Sequence, residues 1–256
     1  MIQYFDTHAH YDSGKFNADR DEVLRAVHDS GVALVVDPGD SGVTSECAVA
    51  LAQAHDFVYA AVGWHPEEAD SWTDGSLAHI RALAAQPKVC AIGEIGLDYY
   101  WDASTKAKQE RMFRAQLELA LELDLPVIVH DREAHGDSLR IVCDYPQLRG
   151  VFHCYSGSLE MAKELLKRGF YLGFGGTSTY KNAAKVREVL QYVPDDLLLF
   201  ETDSPYLTPV PYRGKRNQPG YTELVARNAA EVRGTTFEAL AAQTTKNVKT
   251  LFNKIK

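Results

Sequence analysis

The 256-residue chain lacks any apolar run long enough to cross a lipid bilayer, so a membrane-spanning protein is not expected. Its first residues lack the charged and apolar regions of a secretory signal, which predicts a cytoplasmic protein. Cysteine is also scarce. The four cysteines show neither C-x-x-C spacing nor the density of a disulfide framework, so we expect reduced, buried thiols at positions 47, 90, 143 and 154.

The chain also lacks an excess of positive charge. Its 27 basic and 35 acidic residues give a net charge of −8, which argues against broad electrostatic adhesion to nucleic acid or to an anionic membrane. A polyanion would therefore have to be held by a local basic patch or by metal. Residues 204–222, here called the basic loop, contain Arg213, Lys215 and Arg216, interleaved tyrosines and no acidic residue. Such groups suit phosphates and unpaired bases, although three charges alone are also typical of an ordinary solvated loop.

No Gly-x-Gly-x-x-Gly follows the first predicted strand, as a dinucleotide-binding open sheet would require. Instead, eight short β-prone segments alternate with helical patterns, which predicts an α/β fold, a single (β/α)8 TIM barrel. No repeat, linker or low-complexity segment interrupts the pattern, so one domain is expected over residues 1–256. The predicted strands are 2–5, 32–36, 57–62, 89–92, 126–129, 151–152, 170–174 and 197–200.

Local capping signals predict where two of the helices begin. Asn17 is a candidate cap for the first helix, whose apolar positions keep helical spacing up to Gly31. Thr235-x-x-Glu238 is typical of a capping box and predicts the start of the last helix. The longest predicted helix covers residues 106–123, with an apolar face and a charged face.

Imidazole and carboxylate side chains are concentrated at the ends of the predicted strands, where barrels of this type carry their chemistry. Five of the nine histidines lie there, and the other four lie in helices or loops. A lone histidine is more often a core or solvated residue, but the set favours a metal site because ligand number and placement agree. Glu201 shares a strand face with Asp203, and a buried strand partner would explain it equally well. The residues at these ends are His8, His10, His65, Glu94, His130, His153 and Asp203.

Seven sequence motifs together are highly specific: DTHAH (6–10), GWHP (63–66), GEIGLD (93–98), HDREA (130–134), FHCYSG (152–157), ETDSPYL (201–207) and PYRGKRN (211–217). On these motifs the chain resembles the TatD-like metal-dependent hydrolases, a branch of the amidohydrolase barrels, over essentially its whole length. Two departures are mild and touch no ligand position. Trp64 stands where an aliphatic residue is usual, and Asp131 stands where a small polar residue is usual.

The resemblance implies a set of six metal ligands. Because the best-known members of the family are metal-dependent deoxyribonucleases, it also implies that activity. Six ligands are too many for one tetrahedral zinc and suit two divalent ions that share a carboxylate. Glu94 is the natural bridge, and Asp203 can act both as a ligand and as the general base. His65 is predicted to contact the substrate phosphate or the leaving oxygen, or else only to pack over the barrel mouth. The implied ligands are His8, His10, Glu94, His130, His153 and Asp203.

The expected substrate is DNA, cleaved at phosphodiester bonds from single-stranded ends, with no membrane and no obligate protein partner. Arg132, Tyr206, Arg213 and Lys215 are the predicted substrate contacts. Imidazole-rich ligands favour zinc, manganese or iron, whereas magnesium prefers oxygen, so the choice among Mg, Mn and Zn stays open. Two alternatives remain: a metal-dependent amidase, lactonase or aminoacyl-ester hydrolase, and a non-catalytic metal-stabilised nucleic-acid-binding protein.

Overall fold

The computed structural model describes residues 2–255 of the chain. Its strands are β1 (Tyr4–Asp6), β2 (Val32–Pro38), β3 (Val58–Val62), β4 (Val89–Asp98), β5 (Val127–Arg132), β6 (Gly150–Phe152), β7 (Tyr171–Phe174) and β8 (Leu198–Phe200). They form one eight-stranded sheet in which neighbours follow the order of the sequence, and every pair is parallel. Helices connect successive strands, so the predicted (β/α)8 TIM barrel is confirmed.

The sheet closes through the residues that follow β1 and β8. The backbone amide of Asp203 donates to the carbonyl of His8 (2.9 Å). One residue further along each segment, Ala9 and Ser204 form a parallel β-bridge. The two segments are therefore hydrogen-bonded neighbours, although they come from opposite ends of the chain. This closure places both segments at the same end of the barrel, where the strands finish.

The helices cover the outside of the barrel with apolar stripes. In α6, Met161, Ala162 and Leu165 are buried, at the spacing of one helical face, and Ser158 caps the helix by accepting from the Met161 amide (3.2 Å). No helix within residues 2–255 has the length and apolarity needed to cross a bilayer. The α-helices of the described chain are α1 (Arg20–Asp29), α2 (Gly42–Ala54), α3 (Ser76–Ala84), α4 (Lys106–Glu122), α5 (His135–Cys143), α6 (Leu159–Lys167), α7 (Ala184–Tyr192), α8 (Thr222–Arg233) and α9 (Phe237–Leu251).

The end of the barrel where the strands begin is filled by the C-terminal segment. Phe252 is fully buried, and it belongs to an apolar cluster that includes residues from all eight strands, as expected for the inner face of a closed sheet. Asn247 of α9 donates to the carbonyls of Asp195 and Leu198 at the start of β8. That end is therefore packed with side chains, and the opposite end is left for chemistry. The strand members of the cluster include Phe5, Leu34, Ala61, Ala91, Ile128, Val151, Tyr171 and Leu199.

Both capping predictions were wrong in detail. Asn17 does not cap α1; its side-chain oxygen accepts from the Arg20 guanidinium, which anchors the turn, and the helix begins at Arg20. In α9 the capping residue is Thr236 rather than Thr235, since the Thr236 hydroxyl accepts from the Ala239 amide (3.2 Å). Asp19 is the residue that precedes α1, and its side chain makes no capping hydrogen bond.

Strands β4 and β5 extend well beyond their predicted ends, so Glu94 and His130 lie within these strands rather than after them. Pairing continues because Gly96 faces His130 and Asp98 faces Arg132 across the two strands. Gly96 has a φ of +145°, and a Cβ there would lie 2.0 Å from the carbonyl oxygen of His130. Only glycine permits this close approach, which brings the two strands together beneath the site.

Candidate metal centre

Side chains from the predicted strand ends meet around the carboxylate of Glu94. One oxygen, Oε2, lies 3.1 Å from His8 Nε2 and 3.5 Å from His10 Nε2. The other, Oε1, lies 2.8 Å from His130 Nδ1 and 2.7 Å from His153 Nε2. The two oxygens of one carboxylate therefore face two separate pairs of imidazole rings. With Asp203, described next, these residues are called the donor cluster: His8, His10, Glu94, His130, His153 and Asp203.

Asp203 approaches the cluster from the side of His8 and His10. Its Oδ1 lies 3.5 Å from His10 Nε2 and 3.8 Å from His8 Nε2. The residue adopts a left-handed backbone conformation, with φ at +57°, which is uncommon outside glycine and turns the carboxylate into the barrel mouth. Burial would raise the pKa of Asp203, but the hydrogen bond from His10 and the charge of His8 outweigh it and lower the pKa. The carboxylate is therefore ionised at neutral pH.

Two histidines of the cluster are oriented by partners on their far side. His10 Nδ1 lies 3.1 Å from the carbonyl oxygen of Pro38, and His130 Nε2 lies 3.0 Å from Asp98 Oδ2. Because both partners can only accept, these nitrogens carry the protons. With a cation in the centre, the remaining nitrogens, His10 Nε2 and His130 Nδ1, would present their lone pairs to it. This backing by carbonyl or carboxylate is the arrangement that metal-ligating histidines use.

Glu201 lies behind His153. Its side chain is fully buried, its Oε1 accepts from the Cys154 backbone amide, and the same oxygen lies 3.5 Å from His153 Nδ1. Gly173 makes room for it, because a Cβ at that position would lie 2.4 Å from Glu201 Oε2. Glu201 is therefore both a buried partner of the neighbouring strand β7 and a neighbour of the cluster through His153.

His65 differs from the residues of the donor cluster in the position of its ring proton, which lies on the side of Glu94. Its Nδ1 accepts from the backbone amide of Glu67 (3.2 Å), so the ring proton lies on Nε2. That Nε2 is 3.5 Å from Glu94 Oε1, and the ring packs edge-on against His130 with centroids 4.3 Å apart. A nitrogen that carries a proton cannot ligate a cation but can donate to an oxygen, which suits a substrate contact better than a metal ligand.

The donor cluster meets the chemical requirements of a divalent cation. Imidazole nitrogens and carboxylate oxygens lie within 4.8 Å of one another in two groups that share Glu94, one with His8 and His10 and the other with His130 and the neighbouring His65. A third group consists of His8, His153 and Glu201. Among the described residues, His8 Nδ1, His153 Nδ1 and Glu201 Oε2 are buried without any hydrogen-bond partner. Buried polar atoms that lack partners are costly, and a nearby cation with its ordered ligands is one way to satisfy them.

The electrostatics favour a cation at the same point. Burial would raise the pKa of Glu94, but the charges of His153 and His8 outweigh it and hold the pKa well below its usual value. Burial would lower the pKa of His130, but hydrogen bonds to Asp98 and Glu94 raise it to about 9. The carboxylates thus stabilise positive charge between the rings, whether it is a proton or a metal ion.

A cavity of about 610 Å³ opens above the cluster. Two of the predicted substrate contacts, Arg132 and Tyr206, line it together with His65 and every residue of the donor cluster except His8. Trp101, which the sequence interpretation did not single out, also lines it. Trp101, Arg132 and Tyr206 stand at the mouth of the cavity, and together with Tyr100 beside Trp101 they are called the rim.

The basic loop is only partly available for a ligand. Arg213 and Lys215, the other two predicted contacts, are exposed and lie outside the cavity lining, with the Arg213 guanidinium over the ring of Tyr180. Arg216 forms a bidentate ion pair with Asp19 (2.6 and 2.8 Å). The expected three-charge anion site therefore has two exposed charges at its surface, because the third stabilises the loop against the segment that precedes α1.

Three buried groups that support the site were not identified from the sequence. Asp6 accepts from the Thr202 amide (3.0 Å) and hydroxyl (2.6 Å) and so links β1 to β8 beneath the cluster. Asp98 orients His130, and Asn217 donates to the carbonyls of Thr202 and Tyr206 from within the basic loop. All three lie inside the seven motifs. The signal available in the sequence for Asp6 and Asp98 was an acidic residue at a strand end, close to the candidate metal ligands.

Comparisons with known proteins agree with this geometry. The family model described as TatD related DNase matches residues 5–253. The chain is 46% identical over 250 residues to the Bacillus subtilis protein named uncharacterized metal-dependent hydrolase YabD, covering 97% of this chain and 98% of the relative. It is 38% identical over 257 residues to a Cronobacter sakazakii protein named 3′-5′ ssDNA/RNA exonuclease TatD, covering 98% of each.

A solved structure matches almost completely. The crystal structure of YJJV, a TatD homologue from Escherichia coli, superposes with a TM-score of 0.93 at 34% sequence identity, and the match covers 98% of each chain. The similarity therefore includes both the barrel and the loops that carry the motifs. At this level of identity the comparison extends beyond the fold to the family.

Proposed function

The chain belongs to the family of TatD-related DNases and is a metal-dependent hydrolase, and from this premise we propose that it cleaves phosphodiester bonds of DNA. We place the reaction at single-stranded ends and assign it two divalent ions as cofactors. One observation carries the proposal: Glu94 directs one oxygen to His8 and His10 and the other to His130 and His153.

The two oxygens of the Glu94 carboxylate face different pairs of histidines, which supports two ion sites rather than one. His8, His10 and Asp203 would hold one ion, and His130 and His153 the other, with Glu94 shared between them. Divalent ions bound there would polarise phosphoryl oxygens and lower the pKa of a water molecule. The imidazole-rich donor set favours zinc or manganese over magnesium, which prefers oxygen ligands.

Asp203 and His65 are assigned different roles in the reaction. Asp203 is ionised at neutral pH and stands at the cavity side of the cluster, so it would accept the proton of the attacking water. His65 presents Nε2–H toward the same centre, so it would donate a hydrogen bond to the oxygen that leaves phosphorus. These roles require no protein nucleophile, since water supplies the attacking oxygen.

The cavity supports a single-stranded substrate. The donors lie beneath the rim and are largely buried, so a phosphate reaches them only when its strand enters the cavity. Paired bases would hold the strand in a duplex and outside it. The relatives named as ssDNA/RNA exonucleases support the same substrate class, and RNA therefore remains a second nucleic-acid substrate to test. Cytoplasmic location and the lack of an obligate partner stay predictions from the sequence.

The decisive experiment is to deplete the protein of metal and to reconstitute it with Mn²⁺, Zn²⁺ or Mg²⁺. Each form is offered labelled single-stranded DNA, duplex DNA, RNA, and small ester, lactone and amide substrates. We expect chelation to abolish hydrolysis and Mn²⁺ or a similar ion to restore it, with single-stranded DNA preferred. Glu94→Ala should lose most of the rate while the barrel persists, whereas Glu188→Ala, an exposed carboxylate on α7, should not.

Three outcomes would contradict the proposal. Hydrolysis that survives exhaustive chelation would exclude the two-ion reaction. Hydrolysis of esters, lactones or amides without any cleavage of nucleic acid would assign the same metal site to a small-molecule hydrolase instead. Metal binding without any hydrolysis would favour the non-catalytic alternative.

A further inference from the structure

Two aromatic side chains stand exposed directly after β4. Tyr100 is 54% exposed and Trp101 is 65% exposed, which is unusual for such large apolar groups. Their rings meet edge to face, with centroids 4.8 Å apart. The preceding Tyr99 is anchored instead, since its amide donates to the Arg132 carbonyl (3.0 Å). The loop is therefore fixed at its base, while its two outer rings remain free to contact a ligand.

Arg132 is stacked against the same pair. Its guanidinium lies 3.8 Å from the centroid of the Tyr100 ring and 5.3 Å from that of Trp101. Within residues 2–255 no carboxylate lies within 4.0 Å of this guanidinium, so its charge is not compensated by an ion pair. A planar cation and two exposed aromatic faces thus form one continuous surface at the rim.

This surface is connected to the donor cluster through a single carboxylate. Asp98 Oδ2 contacts His130 Nε2 (3.0 Å), and Asp98 Oδ1 accepts from the Tyr100 amide (2.9 Å). Arg132 follows His130 on β5 by two residues, and both Arg132 and Trp101 line the cavity. The position of the aromatic pair relative to the cluster is therefore set by short, rigid connections.

We propose that Trp101, supported by Tyr100 and Arg132, forms a subsite that stacks one unpaired nucleobase next to the scissile phosphate. This inference rests on the proposed function and names what selects single strands. A base offers a flat π-face for Trp101, and the adjoining phosphate offers a negative charge for Arg132, so the two halves of a nucleotide match the two halves of the surface. A paired base has no free face to offer.

The opposite side of the rim also combines an exposed aromatic ring with a cation. Tyr206 is 44% exposed, and the ammonium group of Lys15 lies 4.1 Å from its ring centroid. A strand that passes between the two sides meets an aromatic face and a cation on each. The side with Trp101 should stack a base more strongly than the side with Tyr206, because indole offers the larger stacking surface and Arg132 offers a planar cation. We therefore assign the dominant stacking contact to Trp101.

The first test measures binding in the metal-depleted protein, so it does not depend on catalysis. A thymidine oligonucleotide should quench the fluorescence of Trp101, since Trp64 is only 8% exposed and Trp72 is partly buried. Trp101→Ala should remove this quenching and weaken binding roughly 5- to 150-fold, and Trp101→Phe should retain part of the affinity. The matched control is Tyr192→Ala on α7, also an exposed aromatic (50%) beside a lysine, which should change nothing.

The second test locates the stacked base. Oligonucleotides that lack one base at a time are bound to wild type and to Trp101→Ala. If Trp101 stacks a base, one abasic position should weaken wild-type binding and leave the variant unaffected, so the two losses are not additive. Equal losses in wild type and variant at every abasic position would overturn the subsite. So would wild-type affinity in Trp101→Ala.

The proposed function and the base-stacking subsite can be refuted independently of each other. A protein that cleaves no phosphodiester after reconstitution refutes the proposed function, while quenching and the abasic series still decide the base-binding subsite. A protein that cleaves DNA but whose Trp101→Ala variant binds and quenches like wild type refutes the subsite alone.

Discussion

The donor cluster and the rim are built in opposite ways. His8, Glu94 and His153 are 0–7% exposed, and a carbonyl or carboxylate backs two of the four histidines of the cluster, His10 and His130. At the rim, Trp101 and Tyr206 are 65% and 44% exposed, and cation–π contacts at the surface organise the aromatic groups. Buried hydrogen bonds in a low dielectric hold geometry far more firmly than exposed stacking does. The difference suggests that the cluster determines the chemistry and that the rim determines which substrate receives it.

The largest expected effect separates two roles within the cluster. Asp203→Asn keeps the shape and one possible oxygen ligand but removes the proton acceptor and a negative charge. If Asp203 is the base, the variant should keep substrate binding and much of its metal, yet lose roughly 10²–10⁴-fold in turnover. Steady-state kinetics at saturating metal, together with the low-pH limb of the rate profile, measure this loss. Asp196→Asn, an exposed carboxylate before β8, is the control.

Restoration of the wild-type rate by excess metal would contradict the base role of Asp203 and leave it as a ligand only. The proton acceptor would then be another titratable side chain of the cavity lining.

A smaller effect is expected where a backing group is altered. Asp98→Asn would present an amide nitrogen to His130 Nε2, so the ring would shift its proton to Nδ1, the nitrogen that faces Glu94. Loss of such a backing partner typically costs 10- to 100-fold in metal affinity. Calorimetric titration of metal into the depleted protein measures it. The control is Asp144→Asn, whose carboxylate pairs with Arg114 on the outer surface.

Unchanged metal affinity in Asp98→Asn would show that His130 does not depend on its buried partner. The assignment of His130 Nδ1 as the donor atom would then have to be withdrawn.

The smallest effect is expected on the basic loop. Arg213 and Lys215 are exposed, so solvent screens each contact and limits it to about 0.5–1 kcal/mol, less than a buried charge-assisted bond contributes. The double variant Arg213→Ala with Lys215→Ala should raise KM for single-stranded DNA about 5- to 30-fold at low salt, with metal content unchanged. Lys246→Ala with Lys249→Ala, on α9 at the far end of the barrel, is the matched control.

A neutral ester substrate should hardly respond to the loss of both charges on the basic loop. DNA hydrolysis at the wild-type rate and KM in that double variant, at low salt, would remove the basic loop from substrate binding.

Much of the fold and of the site could be predicted from local patterns. Eight strand-like segments alternating with helices indicated the barrel, and the histidines after β1, β3 and β6 marked its active end. The boundaries of β4 and β5 could not be predicted, because their extension depends on Gly96 fitting against the His130 carbonyl. Trp101 was missed because a single exposed aromatic in a loop carries no periodic signal.

The sequence by itself determined the kinds of donor groups and the strand ends at which they stand, because the alternation of strand and helix patterns is a local property of the chain. Tertiary structure decided which atoms meet. Glu94 divides its oxygens between four histidines from three other strand segments, Asp6 links to Thr202, and Arg216 pairs with Asp19 instead of facing a ligand. Each of these partners is distant in sequence, so only closure of the barrel brings them within hydrogen-bond distance.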